Sequence, residues 1–415
     1  MSIVFALASS FSTASKRMNL QQVTEHPLVT RARAELHKRD RHTLDEQIRI
    51  VSIEAPTGLE AQRALYIQSR FVAIGLQVLE ADAVGNVLAR LPGGAATDHA
   101  PVILASHLDT IFPAGTDVTP QRQGDRVCAP GITDNARGLA GMLAIAAALC
   151  KHKVVTDRPI VFVATVGEEG LGDLRGVKHL FRSDSPYAGA HAFVSLDGAG
   201  TNRIVNRAIG ACRLRAVIRG LGGHSWGDRG LSNPVHAMGL AVARLRELRP
   251  EGNPACSVNV GRLAGGTSVN AIPSEAWMEV DLRSHDRRAL LDLEVGAVQI
   301  LEQAVREEIA QSGRGVPLVL EVEKIGDRPC GETDPQHPLV VAAEAATRLV
   351  GSTPELTSSS TDANVPISMG IPAITIGAGG NAGGVHTTEE WYENTGGASG
   401  IERALLTLLA VAGVQ

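Results

Sequence analysis

Four short runs along the chain are apolar at nearly every position: VILAS at 102–106, IVFVATV at 160–166, AFVSL at 192–196 and AITI at 373–376. Runs of this length without polar alternation suit strands covered on both faces, as in the sheet of an α/β protein. Between the first two lies GLAGMLAIAAALC, residues 138–150, whose Ala- and Leu-rich composition predicts a packed crossover helix. From about Arg207 to Arg328 the texture changes. CRLRAVIRGL and AWMEVDLRS alternate polar with apolar residues, the mark of strands with one wet face, and residues 234–248 and 287–312 have helical spacing. This predicts a smaller α+β domain at 208–328 inserted into a larger α/β domain formed by 26–207 and 329–415. Near the start, RARAELHKRDRHTLDEQIRIVSI has helical spacing and many charges, read as a helix with a solvated face. Residues 1–25 read as a disordered leader.

Composition narrows the classes. The 415 residues carry 39 Lys and Arg against 44 Asp and Glu, a net charge of -5, which leaves no footprint for nucleic acid. Aromatic residues make up 3%, too few for base-stacking platforms. Five cysteines without a CxxC pair point to reduced thiols and a cytoplasmic protein. The longest apolar runs, near 139–149 and 404–414, fall short of the ~20 residues of a membrane span. No basic residue precedes the apolar residues 3–7, so a signal peptide is not expected.

The polar residues gather in one way. VILASHLDT delivers His107 and Asp109 at a strand end, VFVATVGEEG delivers Glu168 and Glu169, and AFVSLDGAG delivers Asp197. Strand ends of an open α/β sheet face a common crevice, and His, Asp and Glu arriving there have the composition of a metal site. GITDNARG places Asp134 just before the predicted helix, where free backbone amides favour a carboxylate. GGNAGGVHTTEE delivers His386 from a glycine-rich loop. Adjacent side chains in extended backbone point to opposite sides, so Glu168 and Glu169 divide two tasks, metal ligation and general base. Asp109, two residues after His107, is placed to accept the ring N–H of that histidine.

Together HLDT, GITDNARG, GEEG, SLDGAG and VHTTEE resemble, in order, the motifs of the dinuclear zinc exopeptidases that include peptidase T, glutamate carboxypeptidase, acetylornithine deacetylase and succinyl-diaminopimelate desuccinylase. The resemblance covers nearly the whole chain from about residue 45. It implies the zinc-exopeptidase fold, a mixed sheet flanked by helices, with the inserted domain as lid and dimerisation domain. It implies two zinc ions, with cobalt or manganese as alternatives. His107 and Asp197 would hold one ion, Glu169 and His386 the other, and Asp134 would bridge them, with a cis peptide to Asn135. Glu168 would be the base and Asp109 would orient His107. His224 in GLGGHSWG would reach the partner subunit's site in a homodimer, and Asn270 and Arg283 would hold a substrate carboxylate. Thr361, Asp362 and Asn364 in STDANVP match the peptidase T sequence before its last histidine and would shape the site.

The expected activity is therefore cleavage of an amide bond in a short peptide, with aminopeptidase leading. Carboxypeptidase or N-acyl amino acid amidohydrolase is the runner-up. Two decoys carry less. Residues 223–227, GHSWG, fit the G-x-S-x-G nucleophile elbow around Ser225, but the preceding strand carries Arg213, Arg215 and Arg219 and no helix is expected immediately after. GAGGNA from Gly377 resembles a dinucleotide fingerprint without its helix. A scaffold that keeps the fold without activity is disfavoured, because all seven metal and acid–base positions are filled.

Overall fold

A computed structural model describes residues 20–94, 99–250, 252 and 255–415. The largest sheet runs in the spatial order Gln77–Val78, Val87–Leu91, Ile160–Thr165, Val102–His107, Ala192–Leu196, Ala373–Ile376, Arg203–Ala208, Gly331–Glu332. Glu355–Ser359 adds to Arg203–Ala208. The four apolar runs are its central strands, mutually parallel and buried at every position. Antiparallel partners flank them, so the sheet is mixed.

Helix Ala136–Lys151 crosses between Val102–His107 and Ile160–Thr165, with twelve of its sixteen residues buried. The charged stretch near the start is two helices, Pro27–Lys38 and Asp40–Val51, meeting at Arg39. Each presents a solvated face and a packed one, with Val29, Ala32, Ile50 and Val51 fully buried. One expectation needs correction within the first 25 residues. Leu20–Glu25 is helical, because Val23 is fully buried in the main core and Arg33 reaches back to the Thr24 carbonyl. Residues 1–19 lie outside the described residues.

The alternating strands form a separate antiparallel sheet, in the order Cys256–Gly265, Glu275–Ser284, Gly210–Arg219, Val319–Arg328. Its apolar positions, among them Leu214, Ala216, Met278 and Val280, face helices Pro234–Leu245 and Arg287–Gln311 and make a core of their own. The other face carries Arg213, Arg215, Glu279 and Asp281. Alternation thus places charge on one side and oil on the other, as the two-residue repeat of a strand requires.

Candidate metal centre and active site

The carboxyl ends of the parallel strands open into a cavity of about 810 Å³ lined by Asp134, Glu168, Glu169, Asp197 and His386. His107 is the last residue of its strand and is buried behind them. Its Nδ1 lies 3.0 Å from the carbonyl oxygen of Asp109. A carbonyl only accepts, so Nδ1 carries the proton and Nε2 of the neutral ring offers a lone pair. That Nε2 lies 2.9 Å from Asp134 Oδ1 and 3.7 Å from Asp197 Oδ1. His386 Nε2 stands on the other side of the same carboxylate, 3.0 Å from Asp134 Oδ2 and 3.2 Å from Glu169 Oε1. Asp134 is thereby set between two histidines, one oxygen to each.

This arrangement fits cations. Asp134 Oδ1 is buried and has no hydrogen-bond partner, although His107 Nε2 lies 2.9 Å away. His107, Asp134 and Glu169 each offer a ligand atom within 4.8 Å of one another. Lone pairs converging in this way repel unless a positive charge sits among them. In the metal-free protein protons do that work. The hydrogen bonds with Asp134 and Glu169 hold His386 up to about 10. Burial works against a charged His107, but Asp109, Asp134 and Asp197 around it win and raise it well above the ordinary histidine value. Burial likewise opposes ionisation of Asp134, and the two histidines overcome it and hold the carboxyl low. Imidazole and carboxylate ligands of this kind suit zinc, cobalt or manganese.

Local structure fixes each group. The peptide between Asp134 and Asn135 is cis, as the resemblance implied. Asn135 caps the following helix, its side chain accepting from the Gly138 N–H at 3.1 Å and the Gly198 N–H at 3.2 Å. A Cβ at Gly138 would collide with that side chain and with the Leu196 carbonyl, so helix and strand meet here without room for a side chain. Glu390, fully buried, accepts from the backbone N–H groups of Gly131, Thr133 and Asp134 at 2.7–3.0 Å. It pins the loop that delivers Asp134. Its VHTTEE motif was visible in sequence, but its partners lie some 256 residues away.

Asp109 departs from expectation. The ring N–H of His107 is taken by its backbone carbonyl, while its carboxylate stands 3.6 Å away, too far for a hydrogen bond. The carboxylate instead accepts from the N–H of Glu168 at 2.9 Å, the N–H of Glu169 at 3.0 Å and the Thr57 hydroxyl at 2.8 Å. It still lies beside His107, yet its hydrogen bonds fix the turn carrying both glutamates. The cause is that the strand ends at His107, so the two-residue alternation that would align both side chains stops there.

The two glutamates diverge. Glu169 meets His386, and Glu168 meets Arg328, whose Nη1 is 3.2 Å from Glu168 Oε1 and whose Nη2 donates to the Glu168 carbonyl. Burial pushes the Glu168 carboxyl well above its usual range, against the pull of Arg328. Arg328 was read only as a domain edge; its position at a sheet end gave no sign of a buried partner 160 residues away. Arg283 lines the cavity. Thr361 lines it too, Asp362 lies buried behind with a hydrogen bond from Thr165, and Asn364 ties the loop to the Ile209 and Pro329 carbonyls. His224 and Asn270 do not join them. They sit together, exposed and outside the cavity lining, where Gly223–His224 pairs with Ala271–Ile272 in a two-stranded sheet of its own, with His224 Nδ1 accepting from the N–H groups of Trp226 and Gly227. Ser225 is exposed, follows the two-residue strand Gly223–His224, and no helix begins before Pro234, so the nucleophile-elbow geometry is not formed.

Residues 103–412 match Peptidase family M20/M25/M40. The chain belongs to this family. It is accordingly a hydrolase of peptide or amide bonds. Among family relatives, it is 29% identical over 367 residues to the uncharacterized protein YqjE of Bacillus subtilis, covering 85% of this chain and 93% of that protein. Acetylornithine deacetylase of Myxococcus xanthus is 28% identical over 334 residues, 76% of this chain and 83% of that one. Two solved structures share the fold. The aminopeptidase PepT from Bacillus cereus aligns with a TM-score of 0.72 at 24% identity, over 90% of this chain and 99% of that one. A tripeptidase from Staphylococcus aureus gives 0.75 at 23%, over 90% and 98%. Among the described residues no helix is long and apolar enough to cross a membrane.

Proposed function

We propose that this M20-family hydrolase is a dinuclear metal exopeptidase that removes the first residue of short peptides. The observation carrying the metal reading is Asp134, whose two oxygens face two histidines, flanked by Asp197 on one side and Glu169 on the other. His107 and Asp197 would hold one ion, Glu169 and His386 the second, and Asp134 both. Bound there, a zinc pair, or cobalt or manganese, supplies Lewis acidity that polarises a scissile carbonyl and makes water a usable nucleophile near neutral pH.

The protein does the rest. Glu168, buried at the cavity wall, accepts a proton from the attacking water and returns it to the leaving nitrogen. Asp109 holds the turn on which Glu168 and Glu169 stand. The buried wall limits bulk water around the reacting bond. Two named neighbours, the aminopeptidase PepT and the tripeptidase, support the aminopeptidase reading by analogy of fold, as does the STDANVP sequence.

A specific observation favours a second reading. Arg283 lines the same cavity with only its Nε held, by Asp281, and a guanidinium suits a substrate carboxylate. That fits a carboxypeptidase or an N-acyl amino acid amidohydrolase, the class to which the deacetylase relative belongs by name. A panel separates the two: a free tripeptide, its N-acetyl form, its C-terminal amide and an N-acyl amino acid, each with added zinc, cobalt or manganese and with chelator. Block by N-acetylation supports the aminopeptidase. Cleavage of the acetylated peptide together with failure on the C-terminal amide supports the second reading. Activity untouched by chelator would sink both.

The exposed position of His224 and Asn270 suits action across a dimer. We assign the second sheet as the dimerisation and lid domain, its core being separate from that of the larger sheet while its Arg213, Arg283 and Arg328 line the cavity.

A further inference from the structure

The turn that carries Glu168 and Glu169 continues through Gly170 to Leu174, and its backbone is unusual. Asp173 and Leu174 both adopt left-handed conformations, φ 54° and 59°, which non-glycine residues hold only when their surroundings force them. On one side the turn is anchored by the Asp109 carboxylate. On the other it is clasped by the second sheet. The Asp327 N–H donates to the Asp173 carboxylate at 3.0 Å, Arg328 donates to the Glu168 carbonyl, and Arg213 donates through Nη1 to the Gly170 carbonyl.

Arg213 has a second attachment. Its Nε donates to Asp281 Oδ1 at 3.0 Å, directly across the strand pair. The other oxygen of the same carboxylate accepts from Arg283 Nε at 2.6 Å. Arg283 has its terminal amines without a hydrogen bond among the described residues and lines the cavity. One carboxylate therefore ties a cavity-facing cation to a second cation that grips the turn.

We infer that Arg213 is a positioning residue that transmits engagement of an anionic substrate group at Arg283, through Asp281, to the turn carrying Glu168 and Glu169. The inference rests on the reading of that turn as bearing the base and a metal ligand. An anionic oxygen arriving at Arg283 pairs with that guanidinium and competes with Asp281, whose negative charge is now divided between two guanidinium groups. Asp281 is left to Arg213 alone, and the Arg213 side chain and the Gly170 carbonyl settle in one arrangement. The substrate class this favours carries a carboxylate on the side of the scissile bond away from the metal cluster. Binding at that remote group then appears as turnover rather than as affinity alone.

The test uses the metal-loaded protein and two dipeptide isosteres with a reduced CH2–NH bond, one ending in a free carboxylate and one in an amide. Neither can be hydrolysed, so the reading does not depend on turnover. Amide hydrogen exchange across residues 168–174 is followed by mass spectrometry, with affinity measured by calorimetry. The carboxylate isostere is expected to slow exchange there at least several-fold more than the amide. Arg213→Met is expected to abolish that difference while the carboxylate isostere still binds. Arg213→Lys keeps the charge but lacks the fork that spans Asp281 and Gly170, and is expected to lose the difference too. With a cleavable peptide pair, the kcat advantage of carboxylate over amide should fall ~10–100-fold in Arg213→Met, while Arg283→Met loses the KM advantage. Retained protection in either Arg213 variant, equal protection by both isosteres in the unaltered protein, or failure of the carboxylate isostere to bind overturns the inference. Protection as expected with no peptide cleaved would sink the peptidase reading and leave the relay standing.

Discussion

Glu168 is a carboxylate among carboxylates, pushed up first by burial and then by Glu169 and Asp362, with Arg328 as its paired cation. Glu168→Gln keeps the shape, the contact with Arg328 and every metal-facing group. Turnover is expected to fall ~10²–10⁴-fold, with metal content by atomic emission unchanged. Full activity in that variant would remove Glu168 from the mechanism. His386 gives a pH-dependent handle. In the metal-free protein Asp134 and Glu169 keep it protonated up to about 10, yet a ligating imidazole must be neutral. Metal uptake at neutral pH must therefore expel that proton, and apparent metal affinity should climb as pH rises toward that value. Calorimetry in buffers of different ionisation heat is expected to show release of roughly one proton or more on filling the site. A heat independent of buffer would contradict it.

At the scale of elements, sequence patterns spoke clearly where burial is periodic. The four strands buried on both faces and the crossover helix are where the apolar runs place them, because no other packing covers such runs. The ligand-bearing strand ends followed from the sheet's polarity. What stayed hidden were side chains whose partners are distant in the chain. Arg328, Glu390 and Arg213 are charged residues near element ends, indistinguishable in sequence from solvated ones. The Asp109 carboxylate was misdirected by assuming that the strand continued past His107. Glu390 offers the check at this scale. Its carboxylate satisfies three backbone amides in the loop before Asp134, so Glu390→Ala leaves buried donors unpaired. Metal affinity is expected to drop ~10–100-fold, as for other groups that orient a ligand, and thermal unfolding to occur earlier. Unchanged zinc titration would show that the loop holds itself.

For the whole molecule, the two sheets with their separate cores divide the work. All the proposed metal ligands lie outside residues 208–328, and the smaller sheet supplies Arg283, Arg213 and Arg328 to the cavity wall. His224 and Asn270 are left exposed at a separate two-stranded sheet. If they act on a partner's cavity, a Glu168→Gln protomer still donates a sound His224, and a His224→Ala protomer still owns a sound base. Each variant alone is expected to be slow. Mixing them under conditions that exchange subunits should restore activity, read as a rise in rate over either parent. No recovery, with exchange shown by mass spectrometry, would confine each site to its own chain.

The metal cluster is also split by the order of synthesis. His107, Asp134, Glu169 and Asp197 precede the second sheet in the chain, and His386 follows it. A growing chain that has emerged only through the second sheet holds the bridging aspartate but not the histidine on its far side. The strand Ala373–Ile376, which slots beside Ala192–Leu196 in the middle of the large sheet, is likewise still missing. On the proposed ligand set a nascent chain is thus unarmed, and the site can close only after residues 373–386 have been made.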